Sequence, residues 1–257
     1  MKKEKPEYGW YVKNLIISFM IIGIIGIGLI ILGFLIYGWI SILLLISGIT
    51  IAILFLWPGL GMSIMNIILG KAYFTGIEMK SLNSIESPKI LDVGCGTGRT
   101  AIKIAKSLKG GGMLHGIDIY SKTAIGGNAL ETVVRNAKLE GVEEKTSFQY
   151  GSAIEIPFES SMFDIVNFSS VLHELHMDQG FEKALKEAYR VLKPGGYLYV
   201  GEWNRTSWQL IVYSGIFCLV FKNYKHWLTL VEKYGFKIQE QKNEGGFYML
   251  SAMKPDN

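Results

Sequence analysis

The stretch LDVGCGTGRT, residues 91–100, contains the residue types and spacing that most directly suggest chemistry. Glycines stand at alternate positions 94, 96 and 98, and Asp92 lies two residues before the first of them. Glycine lets a backbone approach a ligand closely, because no Cβ intervenes. Dinucleotide enzymes use G-x-G-x-x-G, whose helix end cradles a pyrophosphate, whereas the pattern here is G-x-G-x-G. The loop therefore predicts a cofactor site of another kind.

Short apolar runs alternate with helical patterns from Lys89 onward. The predicted strands are KILDVG, GMLHGIDI, TSFQYG, FDIVNFSS and YLYVGEW. The predicted helices between them are RTAIKIAKSLK, residues 128–140 and GFEKALKEAYRVLKPGG. HWLTLVEKYGFKIQEQ and GFYMLSAMK then predict a helix and two strands that pair. This alternation favours a parallel sheet with helices on both faces, which binds ligands at the carboxyl ends of its strands.

Several blocks together carry a resemblance to a known family. ILDVGCGTGRTAIKIA, the acid in GIDI, FDIVNFSSVLHEL and ALKEAYRVLKPGGYLYVGEW follow one another in the order found in class I S-adenosylmethionine-dependent methyltransferases of the type 11-like group. The similarity covers residues 85–257, and the glycine loop combined with RVLKPGG is its most specific part. The resemblance implies a Rossmann-like α/β fold with a terminal antiparallel strand, and S-adenosylmethionine as the cofactor.

The resemblance also implies roles for individual residues. Asp92 would bond to the amino acid end of the cofactor, Asp118 would accept hydrogen bonds from both ribose hydroxyls, and Ser169 would line the sulfonium. The full set of expected cofactor-binding residues is Asp92, Gly94, Cys95, Gly96, Thr97, Asp118, Ile119, Ser152, Ala153 and Ser169. Family members often have Gly-Asp-Ala after the third strand, where this chain has Gly-Ser-Ala, so serine would make a weaker bond to the adenine.

The sequence HELH contains His173, Glu174 and His176. The zinc motif H-E-x-x-H needs histidines four residues apart so that both share one helical face, and these are three apart. No metal is therefore expected. His173 would lie at the mouth of the cofactor cleft, either as a general base or as a structural or substrate-orienting polar residue.

The first part of the chain has a different character. Hydrophobic residues make up 49% of the chain, and no charged residue occurs between Lys13 and Lys71. Apolar runs at 15–37 and 39–57 are each long enough to cross a hydrocarbon core of ~30 Å. A signal peptide is disfavoured because the first run far exceeds its usual apolar region. Core helices are also disfavoured, because this region has no globular part that could cover so much apolar sequence. Two membrane spans are therefore predicted.

Lysines flank the predicted hairpin and are absent from its turn at Gly38. The positive-inside rule then predicts a multi-pass cell-membrane protein with both termini and the catalytic domain in the cytoplasm. The predicted organisation is a cytoplasmic segment at 1–14, two spans within 15–60, a linker helix at 61–84 and the methyltransferase domain at 85–257. Glycines inside the spans, Gly23, Gly26, Gly28 and Gly33, are expected at close helix contacts.

A second apolar stretch, residues 208–221, follows the last predicted parallel strand and is called the apolar insertion below. It is too short for a comfortable span. Two interpretations remain, a buried helix and a substrate-covering or membrane-dipping helix. Its aromatic and lysine flanks favour the second.

Composition narrows the function. A net charge of +4 without runs of lysine, arginine and aromatic residues gives no support for a nucleic-acid partner. The two cysteines, Cys95 and Cys218, lack metal-ligand spacing. The favoured hypothesis is a membrane-anchored methyltransferase for a lipophilic acceptor of lipid, prenyl or quinone type, with the bilayer contacted through residues 15–57. The alternatives are a tethered methyltransferase for a soluble molecule or protein, and a non-catalytic cofactor-binding protein.

Overall fold

The computed structural model describes residues 4–71, 79–121, 125–175 and 179–256. In this part of the chain seven strands form one sheet: β1 Lys89–Val93, β2 Met113–Asp118, β3 Thr146–Tyr150, β4 Phe163–Ser169, β5 Leu192–Trp203, β6 Lys237–Glu244 and β7 Phe247–Met253. Their order is β3-β2-β1-β4-β5-β7-β6, with β7 antiparallel to both neighbours and the other pairs parallel. The predicted Rossmann-like methyltransferase sheet is confirmed.

The sheet carries helices on both faces, as predicted. The helices of this domain are α4 Arg99–Ser107, α5 Leu130–Leu139, α6 Gly180–Val191, α7 Trp208–Ser214 and α8 Tyr224–Lys233. Alternate residues of β1 belong to two different core clusters. Ile90 packs with α4 and α5, whereas Leu91 and Val93 pack with α6 and α8. Because both faces are covered, the central strands β1 and β4 are buried at most positions.

The apolar hairpin precedes this domain. It consists of α1 Lys13–Leu35, α2 Trp39–Ile51, a wide turn of π-helix at Ala52–Leu56 and α3 Trp57–Lys71. The second helix therefore continues well beyond the end predicted at residue 57. Pro58 has no N–H to donate to the preceding turn. The wide turn, in which Trp57 N–H bonds to Ala52 O, accommodates the missing hydrogen bond, so the helix continues past Pro58.

The region predicted as a linker helix is divided differently. Residues 61–71 continue the second apolar helix, and Lys80–Asn83 forms a short 3₁₀ helix. The intervening residues 72–78 lie outside the described part of the chain.

Glycines let the hairpin helices approach closely. A Cβ on Gly26 would lie 2.9 Å from Gly48 O, and one on Gly23 would lie 2.6 Å from Leu56 Cβ. Gly33 has a similar contact with Leu45, whereas a Cβ on Gly28 would meet no described atom within 4 Å. The expected close contact is therefore present at three of the four glycines. Gly28 differs because it lies on the side of α1 that faces away from the partner helix.

Among the described residues, two helices are long and apolar enough to cross a membrane, Lys13–Leu35 and Trp39–Ile68. Most of their side-chain surface is not covered by the rest of the protein, since only 22% and 6% of their most apolar windows are buried. Helices in the core of a globular domain would be covered on all sides.

Candidate functional site

The carboxyl ends of the parallel strands bring the predicted site residues to one edge of the sheet. Strand order reverses between β1 and β4, so a crevice opens there. Asp92 of β1 is paired in register with Asn167 of β4, and Asp118 and Ser169 end β2 and β4. The sheet therefore gathers residues that are far apart in sequence.

The glycine loop turns sharply from β1 into α4. Gly94, Gly96 and Gly98 all have positive φ, at +72°, +53° and +87°, which side chains other than glycine adopt at a cost. The N–H groups of Gly94 and Cys95 both donate to Ile117 O on the neighbouring strand. The loop is thus fixed to the sheet.

Asp92 is buried and accepts a hydrogen bond from Asn167 Nδ2 at 2.6 Å. Burial raises the pKa of its carboxyl to about 7; the bond from Asn167 opposes this rise and the nearby Asp118 adds to it. A cationic ligand group at this position would favour the ionised carboxylate. Asn167 was not predicted, although its place between two apolar residues of a central strand is the kind of signal that identifies a buried polar group.

Asp118, at the end of β2, also holds the glycine loop in place. Its carboxylate accepts hydrogen bonds from Gly96 N at 2.8 Å, from Tyr120 N at 2.5 Å and from Asn128 Nδ2 at 3.4 Å. A carboxylate has about four acceptor sites, so capacity for a ligand hydroxyl remains. Asp118 therefore combines a structural task with its expected role toward a ribose.

The other predicted cofactor residues vary in environment. Ser152 Oγ accepts from Ile154 N and Ala153 is buried, while the side chain of Ile119 is 67% exposed at the rim. Cys95 is buried, with its Sγ 3.7 Å from Tyr120 Oη, and burial raises the pKa of its thiol. Cys95 therefore acts as a small packed side chain.

Residues 4–12, called the N-terminal strap below, lie across the glycine loop. Thr97 Oγ1 donates to Tyr8 O at 2.9 Å, and Arg99 Nη2 donates to Gly9 O at 3.0 Å. The ring of Tyr11 lies 5.4 Å from the Arg99 guanidinium. Thr97, which was expected to bind the cofactor, thus donates its hydroxyl hydrogen bond to the strap. The strap was not predicted, because nothing local in the sequence relates residues 4–12 to the loop.

A buried histidine–glutamate pair lies beside the crevice. His173 Nδ1 is 2.8 Å from Glu202 Oε2, and Glu202 Oε1 accepts from Val171 N and Leu172 N. Burial lowers the pKa of His173, but the carboxylates of Glu202 and Glu174 outweigh it and raise the pKa to about 9. The raised pKa favours the imidazolium form of His173 at neutral pH. Glu202 was not predicted, and His176 of the HELH sequence lies outside the described residues.

Three buried polar atoms near the loop have no partner among the described residues. They are Arg99 Nη1, Asn128 Oδ1 and Ser170 Oγ. Buried polar groups are normally hydrogen-bonded, so such atoms beside a crevice fit a polar ligand. A carboxylate would suit the free guanidinium nitrogen, and hydroxyl or amino groups would suit the free oxygens. The residues present thus fit a cofactor with amino acid and nucleoside parts.

Comparisons with known proteins agree with this geometry. A protein-family profile described as "Methyltransferase domain" matches residues 86–247. The chain is 33% identical over 146 residues to a demethylmenaquinone methyltransferase of Lactococcus lactis, covering 56% of this chain and 53% of that protein. It is 36% identical over 113 residues to an uncharacterised protein of Haemophilus influenzae, covering 44% of this chain and 41% of that protein. The chain thus spans about half the length of these relatives.

A solved structure from Methanosarcina mazei, described as a SAM-dependent methyltransferase, has the same fold. Its TM-score is 0.57 at 22% identity, and the match covers 71% of this chain and all of that one. At this identity the likeness concerns the fold alone.

Proposed function

Because the chain belongs to the methyltransferase domain family, we propose that it is an S-adenosylmethionine-dependent methyltransferase anchored in a membrane and acting on a lipophilic acceptor. The observation that carries this proposal is one continuous apolar surface. It combines the hairpin with the apolar insertion of the catalytic domain, and it ends beside His173.

The apolar insertion packs directly on the hairpin. Trp57 Nε1 donates to Val212 O at 2.8 Å, and a Cβ on Gly61 would lie only 2.3 Å from Tyr213 O. The Phe217 ring lies 4.5 Å from that of Phe19 on α1. The two parts therefore form one packed unit, which supports an anchor that positions the catalytic domain.

The outer side of the insertion is apolar and exposed. Trp208, Leu219 and Val220 are 67%, 61% and 71% exposed. Contiguous apolar surface of this kind marks a contact with a membrane or another apolar partner. Its position next to the exposed hairpin supports the membrane-dipping interpretation over a buried helix.

The insertion leads to the histidine–glutamate pair. The Phe221 ring lies 5.3 Å from the His173 ring and 5.9 Å from that of Trp203. An apolar acceptor tail lying along the insertion would place its head group near His173 and the carboxyl end of β4. This favours a molecule with a long apolar part and a polar, reactive head.

The residues of the site would have separate roles in the proposed reaction. The cofactor, when bound, supplies a methyl group activated on a sulfonium. Asp92, the glycine loop and Asp118 would hold the cofactor, and the apolar surface would exclude water. His173, oriented by Glu202, would favour the deprotonated form of an acceptor hydroxyl through its positive charge, and the proton released would pass to solvent. A general-base role for His173 would instead need an unprotonated ring.

A quinone-type acceptor is favoured among lipophilic candidates. The Lactococcus lactis relative is named for demethylmenaquinone, whose head group is a quinone that carries hydroxyls in its reduced, quinol form. The match to it covers 56% of this chain and 53% of that protein, so this acceptor class is a proposal for the present chain. A soluble acceptor, with the hairpin serving only as an anchor, is the alternative.

Membranes containing the protein, given methyl-labelled S-adenosylmethionine and extracted with organic solvent, are expected to transfer label to the lipid phase. The reason is that the apolar surface lies beside the proposed acceptor site. A double variant, Ile216→Ser with Leu219→Ser, changes only exposed insertion residues. It should reduce lipid labelling at limiting acceptor while cofactor affinity stays constant. Label found only in protein or water would contradict a lipophilic acceptor.

We also propose that both termini lie in the cytoplasm, since lysines flank the hairpin and none occurs at its turn. A cysteine introduced at Gly38 should react with a membrane-impermeant thiol reagent in intact cells. A cysteine at Lys5 should react only after the cells are opened. The reverse pattern would refute this orientation.

A further inference from the structure

The N-terminal strap is pinned to the catalytic domain at its first residues. Glu7 N donates to Asn136 Oδ1 at 2.9 Å, and Asn136 Nδ2 donates both to Glu7 O at 2.8 Å and to Thr97 O at 2.9 Å. Asn136 thus joins the strap and the glycine loop through one side chain. Further along, Gly126 N donates to Trp10 O at 3.1 Å.

The end of the strap is pinned to the hairpin. Tyr11 N donates to Asn66 Oδ1 of α3 at 2.8 Å, and Asn66 Nδ2 donates to Tyr11 O at 3.3 Å. The helix α1 begins at Lys13, two residues later. Because the strap runs directly into the apolar helices, displacement of one is transmitted to the other.

The strap leaves little space above the glycine loop. The cavity bounded by Tyr8, Tyr11, Asp92, Arg99 and neighbouring residues has a volume of about 20 Å³. That volume holds about one water molecule, whereas small-molecule sites usually measure ~300–1,000 Å³. Burial raises the pKa of the Tyr11 hydroxyl; the charge of Arg99 opposes this rise, and the nearby carboxylates add to it. Tyr11 therefore fills the space beside Asp92 that the amino acid end of a cofactor would need.

We propose that the N-terminal strap is an autoinhibitory gate of the cofactor site, which must lift before the cofactor can bind and which the Asn66 contact couples to the position of the hairpin. The inference rests on the proposed use of S-adenosylmethionine. A closed strap reduces the apparent affinity by the fraction of molecules that are open. The hairpin then acts on catalysis as well as anchoring the protein.

Gly9 offers a way to open the gate without touching the cofactor residues. Its φ is +64°, and a Cβ would lie 2.0 Å from Gly126 O and 2.9 Å from Ile125 Cγ2. Alanine at this position is both strained and blocked in the closed strap. Gly141 is a matched control, because its φ is +70° and nothing described lies within 4 Å of its Cβ position.

The test uses the full chain in lipid nanodiscs and S-adenosylhomocysteine, a non-reactive probe, with binding followed by calorimetry and stopped-flow fluorescence. Gly9→Ala should bind the probe about tenfold more tightly and associate faster, since more molecules are open. Gly141→Ala should bind as the unchanged protein does. Asn66→Ala, which releases the strap from the hairpin, should shift binding in the same direction as Gly9→Ala.

Weaker binding by Gly9→Ala and Asn66→Ala would show that the strap is a roof for the bound cofactor and would overturn the gate. Unchanged binding by both would overturn it as well. Absence of binding by all four folded proteins would instead overturn the proposed cofactor, and the gate with it. A melting curve for each protein confirms that it is folded.

Discussion

Replacing His173 with Gln is expected to lower kcat by about 10²-fold and leave cofactor affinity unchanged. Glutamine keeps a polar group of similar reach but removes the positive charge that the proposed reaction needs beside the acceptor. Single-turnover methyl transfer measures the chemical step, and calorimetry with S-adenosylhomocysteine measures cofactor affinity. An equal loss in both would assign His173 to folding or cofactor binding.

The pH dependence of the methyl-transfer rate tests the same role of His173. With a pKa of about 9, His173 keeps its proton up to that pH, so activity should fall only above it. Glu202→Gln removes one raising carboxylate, and the pKa returns toward its ordinary value of about 6.5. The basic limb of the pH–rate profile should therefore move to lower pH, and the variant should lose activity at pH 8 relative to the unchanged protein.

The control for Glu202→Gln is Glu174→Gln. Glu174 lies 3.3 Å from the other ring nitrogen of His173, but its side chain is 48% exposed. Water screens an exposed carboxylate, so this variant should move the basic limb by much less. If the two variants shift the profile equally, the buried Glu202 has no special positioning role.

The same pair affects stability with a defined sign. The folded pKa of His173 lies above its unfolded value, so the folded state binds the proton more tightly. The stabilisation is fully present below the unfolded pKa and is lost as the pH rises through about 9.

Asp118→Ala is expected to weaken S-adenosylmethionine binding by ~2–4 kcal/mol, or roughly 30- to 1,000-fold. The proposed charge-assisted bonding to the ribose would be lost, and so would the bonds that hold Gly96 N and Tyr120 N. Calorimetry on the detergent-solubilised protein measures the change. Unchanged affinity would mean that the ribose is held elsewhere.

Asp164→Ala is the matched control for Asp118→Ala. Asp164 also accepts a backbone N–H, from Lys89 N at 2.8 Å, but at the opposite end of the sheet. A comparable loss of stability is expected, without loss of cofactor affinity. If Asp164→Ala weakens binding as much, the effect of Asp118→Ala is a general one on the fold.

Local sequence patterns were sufficient for the sheet and for the loop residues that directly follow a strand. Asp92 and Gly94 belong to one short motif, and Asp118 ends the next strand, so their shared edge follows from parallel pairing. The second apolar helix extends past residue 57, where the predicted span ends, and continues through Pro58 and the glycines after it. The wide turn at 52–56 that tolerates them has no sequence signature of its own.

The missed site residues all depend on distant contacts. Glu7 and Asn136 are 129 positions apart, and Val171 and Glu202 are 31 apart. Neither pair has a pattern that links its members, since a polar residue in a strand or a tail is individually ordinary. Only the fold shows that Glu202 orients His173 and that the strap covers the loop.

The length of the second apolar helix has a mechanical consequence. Thirty residues, Trp39–Ile68, extend ~45 Å, whereas the hydrocarbon core of a bilayer is ~30 Å thick. A helix of this kind either tilts or projects several turns past the lipid surface. The apolar insertion packs against this helix near Trp57 and Gly61, so in the proposed membrane-anchored protein the helix would set the height of the reaction centre above the lipid tails. A thicker or thinner membrane would then change how far an acceptor must rise to be methylated.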